Sequence, residues 1–234
     1  MALTPRQRAS WLAHLFKAAT QQHHQDLRPL FAPHVPADAV VIDIGAHGGQ
    51  FSKLFARMAP KGHVYAFEPS AYARSIMAPA LRWNGIDHVT LIPMGLSDKP
   101  GELTLHTPIK RSSALGYGTA HLGDPADPAA RHDQSVTLTT LDAFVASRGL
   151  DRLDFIKADI EGWEMRALLG GEATLRRFRP VLYLEVDDAC LDRAGDTPQA
   201  LFAWLSTLGY RAFTTPARAP ISAWPGRGDY LFVA

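Results

Sequence analysis

The sequence predicts an α/β fold in which a mostly parallel sheet carries helices on both faces. Two observations carry that prediction. From residue 39 onward, short apolar, β-rich runs alternate with segments of helical period, the pattern of strand–helix–strand crossovers. The first of these runs reads IDIGAHGG at residues 42–49, where an apolar stretch breaks into glycines and a histidine, as a buried strand ending in a tight turn would.

The elements follow in order. In MALTPRQRASWLAHLFKAATQQHH, the residues Trp11, Leu12, Leu15 and Phe16 fall at helical spacing between charged positions. Residues 1–37 therefore read as an N-terminal helical extension that docks on the domain or on a second subunit, which makes a homodimer an option. The segment lacks a small-residue cleavage site and is not read as a secretory signal. Residues 38–234 read as one domain. Strands are expected over residues 39–44, 63–67, 89–93, 153–158, 180–186, 210–214 and 230–233, and helices over 50–58, 70–83, 141–147 and 198–208. A further helix is expected over 161–177, with Gly170–Gly171 able to split it. Between the third strand and residue 141 the rhythm breaks. Two extended segments, 101–107 and 135–138, flank GYGTAHLGDPADPAARHD, whose glycines and prolines read as a surface loop able to act as a lid.

Composition narrows the function. The chain has 234 residues, 47% hydrophobic and 20% charged, with a formal net charge of +1. No apolar run is long enough to span a bilayer, and no basic field points to nucleic acid, so neither is an expected partner. Cys190 is the single cysteine, which excludes an internal disulfide and a cysteine-only zinc site. A cytoplasmic location is the default expectation.

In an open α/β sheet, ligands bind beyond the carboxyl ends of the strands, where strand order reverses. The turn after the first strand lacks the lysine of a phosphate-binding P-loop. Its glycines at 45, 48 and 49 also miss the dinucleotide fingerprint. What remains is D-x-G-x-x-x-G, led by Asp43. A carboxylate there repels a pyrophosphate but suits a cation such as the sulfonium of S-adenosylmethionine, unless Asp43 merely caps the turn. HVYAFEP then places Glu68 at the end of the next strand, where a carboxylate can accept both hydroxyls of an adenosine ribose, and Pro69 stops that strand. Together the two motifs indicate an adenosine-bearing cofactor.

VVIDIGAHGGQFS, VYAFEPS, TLDAF and DFIKADIEGWEMRALLGG resemble the signature segments of FkbM-type S-adenosylmethionine-dependent methyltransferases. The resemblance covers roughly residues 38–190, and its most specific part is Lys157, Asp159, Glu161, Gly162 and Glu164. It implies a class I methyltransferase (Rossmann-like) sheet of seven strands, the last antiparallel, and methyl transfer, usually to oxygen, on small-molecule or glycan-like acceptors. Members commonly carry asparagine where this chain has His47, and both residues tolerate positive φ. The expected cofactor-binding residues are Asp43, Gly45, Ala46, His47, Gln50, Phe51, Glu68, Pro69, Gly95, Leu96, Ser113 and Asp159. Met94–Asp98 should border the adenine.

The catalytic candidates are Asp159, Glu161 and Lys157. Asp159 and Glu161 would position an acceptor hydroxyl and take its proton. A nearby lysine would lower the pKa of either carboxylate. A divalent metal held by the two carboxylates is the second reading. The alternative reading of Glu161 is a cap on the following helix, and Glu164 reads as structural. His106, His121 and His132 read as solvated loop residues. Outside the methyltransferase class stand two alternatives, a nicotinamide-dependent oxidoreductase and a catalytically inactive cofactor-binding partner protein.

Overall fold

The computed structural model describes residues 4–108, 121–122 and 131–234. Thr4 caps α1 (Pro5–Thr20): its hydroxyl accepts from the Gln7 amide, and the Gln7 side chain accepts from the Thr4 amide. A short 3₁₀ turn leads into α2 (Arg28–Phe31), which the sequence did not announce. β1 (Val40–Ile44), α3 (Gln50–Met58), β2 (His63–Phe67), α4 (Ala71–Trp83) and β3 (Val89–Ile92) then form successive crossovers close to the expected bounds.

The break in rhythm is a second, small sheet. β4 (Gly95–Leu96), β5 (Gly101–Pro108), β6 (His121–Leu122) and β7 (Arg131–Thr139) lie in the order β4-β7-β5-β6. The two predicted extended segments are the paired β5 and β7. Within the expected lid, residues 121–122 and 131–133 belong to strands. Its remainder, with Ser113, lies outside the described residues.

α5 (Leu141–Arg148) and β8 (Phe155–Ala158) precede a helix pair, α6 (Glu164–Leu169) and α7 (Glu172–Phe178), parted at Gly170–Gly171 as anticipated. The pair starts at Glu164 rather than Glu161, because Glu161 and Gly162 have φ of 55° and 102°. A right-handed helix cannot include such residues. β9 (Val181–Val186), α8 (Asp188–Arg193), α9 (Pro198–Thr207), β10 (Arg211–Thr214), β11 (Pro220–Ile221) and β12 (Gly228–Val233) complete the chain.

The main sheet runs β11-β10-β12-β9-β8-β1-β2-β3. β1 is parallel to both β2 and β8, and β12, last in the chain, is antiparallel to both neighbours. The sheet has eight strands rather than seven because the two-residue β11 adds an edge beside β10. Side chains alternate between faces along each strand. Ile42, Ile156, Leu182 and Leu184 pack on one face with Phe144, Leu168 and Leu201. Val41, Phe155, Tyr183 and Leu231 pack on the other with Phe31, Leu54 and Phe55.

The N-terminal segment docks on its own domain. Trp11, Leu15 and Ala18 pack against Tyr72, Ile76 and Ala80 of α4. The Lys53 ammonium, buried on α3, donates to the carbonyls of Ala18 and Gln21 and so satisfies the carboxyl end of α1. Leu12 and Phe16 do not join this contact and stay 58% and 70% exposed. Among the described residues, no helix is long and apolar enough to cross a membrane.

Candidate active site

Chain order reverses around β1: β2 and β3 extend the sheet to one side, and β8 and β9 to the other. The turns after β1 and β8 therefore meet at the carboxyl edge, where Ile44 and Ala158 are register partners. Their approach is close. A side chain at Gly45, whose φ is 76°, would put its Cβ 2.1 Å from the Asp159 carbonyl oxygen. His47 holds the turn at φ 54°, as its residue type allows.

A cavity of about 280 Å³ opens over these turns. Gly45, Ala46, His47, Gln50 and Phe51 line it from the first turn, and Glu68 and Pro69 from the second strand. Gly95 and Leu96 enter from β4, and Lys157, Asp159 and Glu161 from the end of β8. Sequence reasoning missed His24, Leu105, Ile160 and Trp163. The Trp163 indole donates to Ser97 Oγ at 3.2 Å and so ties the loop after β8 to β4.

Asp43 departs from expectation. Its carboxylate is 0% exposed, accepts from the Ser52 hydroxyl, and lies 3.4 Å from the Lys157 ammonium. It supports the turn from below and does not line the cavity. Lys157 also donates to the carbonyls of Ile44 and Gly45, at 3.2 and 3.0 Å, and lies 3.7 Å from Asp159. Burial alone would lower its pKa, but Asp159 and Asp43 outweigh that and hold the ammonium above its ordinary value. Lys157 is thus a buried clamp between turn and carboxylates.

The side-chain period of two explains the polar ladder. Asp43, Lys157 and Tyr183 are lateral neighbours on one face. The next rung toward the carboxyl edge holds Asp159, Glu185 and Asp229, the last two being register partners. Burial works to raise Asp159, but Lys157 and a hydrogen bond from Glu185 prevail and hold it below the usual carboxylate range. Glu185 is pushed up to about 8 by burial and by that same hydrogen bond. The pair shares one proton at neutral pH, with the charge on Asp159. Asp229 is raised by burial, against a hydrogen bond from Tyr183.

Glu161 does not cap α6. Its side chain accepts from the Cys190 thiol at 3.7 Å, and burial followed by Asp159 raises its pKa, the reverse of the lysine effect expected from sequence. The capping carboxyl is Glu164, which accepts the amides of Ile160 and Gly162 at 2.8 and 3.3 Å. Burial pushes Glu164 up to about 7. A carboxyl raised on folding contributes stability that is complete below its unfolded value and is lost as pH rises through about 7. Glu164→Gln is expected to flatten this loss, on the order of 2–3 kcal/mol, in denaturant titrations at mildly acidic and mildly alkaline pH. An unchanged pH slope would show that Glu164 is not the titrating group.

Glu68 is 7% exposed, and its two oxygens accept the His47 and Ser70 amides at 2.7 Å each. Burial raises its pKa against those two bonds. Each oxygen keeps a lone pair for a second donor from the cavity. His106, expected in solvent, is 6% exposed on β5 and bonded to Asp133 at 2.7 Å. Among the described residues, no group of three or more His, Cys, Asp or Glu side chains is arranged to hold a metal.

The donor set fits S-adenosylmethionine. Glu68 offers two acceptors for ribose hydroxyls, and Met94, Leu96, Ile160 and Trp163 offer apolar surface for a purine. Asp159, its side chain 41% exposed, presents negative charge to a sulfonium. Gly48 has nothing within 4 Å of where a Cβ would stand, so a side chain there would project into open space at the cavity.

Sheet order and the glycine turn at the carboxyl edge are those of a class I methyltransferase fold. The comparisons with known proteins agree. The chain belongs to the methyltransferase FkbM-domain family, whose profile matches residues 43–212. It is 27% identical over 163 residues to "2-O-methyltransferase NoeI" of Sinorhizobium fredii, a match covering 64% of each protein. It is 32% identical over 190 residues to "AMB antimetabolite synthetase AmbE" of Pseudomonas aeruginosa, covering 66% of this chain and 9% of that one. The chain thus spans less than two thirds of the length of either curated relative. In fold it is similar to a crystal structure of Methyltransferase FkbM from Methylobacillus flagellatus. The TM-score is 0.53 at 15% identity, over 96% of this chain and 59% of that one.

Proposed function

We propose that this domain is an S-adenosylmethionine-dependent methyltransferase acting on a hydroxyl oxygen of a small-molecule or glycan-like acceptor. The observation that carries the reading is the placement of Glu68 and Asp159 on opposite sides of the glycine turn, facing one cavity. Bound there, the cofactor would supply an electrophilic methyl group on a positively charged sulfur. Glu68 would fix the ribose, and Asp159, held ionised, would stabilise positive charge at the reacting end and orient the acceptor. Trp163 and Leu105 wall the cavity with apolar surface that excludes water. The relative named as a 2-O-methyltransferase supports oxygen as the accepting atom.

Transfer of isotope-labelled methyl from S-adenosylmethionine to a panel of carbohydrates and small hydroxylated molecules tests the proposal. An O-methylated product is expected, and labelled product found only on nitrogen or carbon acceptors would contradict it. Glu68→Ala is expected to weaken cofactor binding by about 1–3 kcal/mol, the range for a hydrogen bond to a charged group. Unchanged affinity in a calorimetric titration of that variant would remove Glu68 from the site.

A further inference from the structure

The residue least expected at the cavity is His24, which precedes the first strand. Its backbone is left-handed, with φ 61°, a conformation that non-glycine residues adopt at a cost. Flanking bonds hold it there. Gln22 donates to the Gln50 carbonyl at 2.9 Å, the His23 amide donates to Gln50 Oε1 at 3.2 Å, and Lys53 donates to the Gln21 carbonyl at 2.8 Å. Gln50 opens α3, directly after the glycine turn, so the segment is tied to the wall of the cavity itself. The His24 ring stacks on Phe51, with centroids 4.2 Å apart and planes 14° apart.

This position is on the face that carries the polar ladder. Asp159 and Lys157 act on His24 from the end of β8, Asp229 acts from β12, and His23 and Asp26 act from its own segment. Phe51 thus carries the His24 ring and also lies 5.2 Å, centroid to nitrogen, from the Lys157 ammonium, which puts the imidazole beside the Lys157–Asp159 pair where both line the cavity.

We propose that His24 is the general base of the reaction, taking the proton of the acceptor hydroxyl. This rests on the methyl-transfer reading above. The acceptor oxygen forms the O–CH₃ bond as the C–S bond breaks, and the C–S electron pair stays on sulfur. The hydroxyl proton passes to the unprotonated ring nitrogen of His24 and leaves to solvent at the cavity mouth. One positive charge thus moves from sulfur to imidazolium, where Asp159, Asp229 and Asp26 act on it. The two carboxylates lining the cavity near it are less suited. Asp159 is held ionised by Lys157, and Glu161 is engaged with the Cys190 thiol. Burial, then His23, lowers the pKa of His24, against the opposing pull of Asp26, so the ring is neutral and able to accept a proton at neutral pH.

Histidine-ring NMR titration of the full chain tests this without an acceptor. Spectra are recorded across the acidic-to-neutral range for the protein alone, with S-adenosylmethionine and with S-adenosylhomocysteine, and His24→Asn, which tolerates the left-handed backbone, assigns the resonance. If the ring faces the sulfonium, its pKa is expected to be lower by about one pH unit with S-adenosylmethionine than with the neutral thioether product. Equal values with both ligands, or a rise with both as a cofactor carboxylate would cause, overturn the base role while leaving the cofactor reading intact. No change at any resonance with either ligand overturns both.

Discussion

Asp159→Asn is expected to lower methyl transfer by about 10²–10³-fold, the usual cost of removing one preorganised group from a developing charge. The substitution keeps shape and deletes charge. It should weaken binding of the sulfonium-bearing S-adenosylmethionine while leaving the neutral S-adenosylhomocysteine nearly unaffected, a split that a merely structural role would not produce. A second signature follows from the shared proton. Glu185, raised to about 8 by burial and then by Asp159, should fall part of the way once that neighbour is neutral, burial keeping it above the ordinary carboxylate range. Undiminished turnover, or equal loss of affinity for both ligands, would show that Asp159 does not face the sulfur.

Lys157→Met is expected to cost about 3–5 kcal/mol of stability, because it leaves the 0% exposed Asp43 without its counter-ion. Methionine fills most of the lysine volume, so the loss reports charge rather than a void. Adding Asp43→Asn to the same chain should recover part of the loss, since the uncompensated charge is then gone. Denaturant unfolding of the two variants and the parent measures both effects. A loss below about 1 kcal/mol for Lys157→Met would mean that water or local rearrangement satisfies Asp43 and that the clamp is not needed.

What was legible in the sequence was whatever depends on local period. The strand ending at Ile44, the glycine turn, Glu68 and the split at Gly170–Gly171 all follow from spacing and residue type. Asp43 was misplaced because its burial depends on Lys157 across a strand boundary, and register is invisible in one chain read in order. Glu185 and Asp229 went unremarked for the same reason. Each is a carboxylate at the end of an otherwise apolar strand, a usable signal, but their meeting with Asp159 requires knowing that β12 inserts between β9 and β10. Glu164 is structural, as read, but it also takes the capping place offered to Glu161, because the positive φ at Glu161 and Gly162 moves the helix start. His24 was beyond sequence reasoning: only the docking of α1 on α4 and the hold of Gln50 bring it to the cavity.

Calorimetric titration of the full chain with S-adenosylhomocysteine, beside a matched titration with NAD, tests the central claim most directly. Saturable one-site binding of S-adenosylhomocysteine is expected, weakened in Glu68→Ala, with no heat of binding from NAD. Binding of NAD with none of S-adenosylhomocysteine would contradict the account and assign the cavity to nicotinamide chemistry.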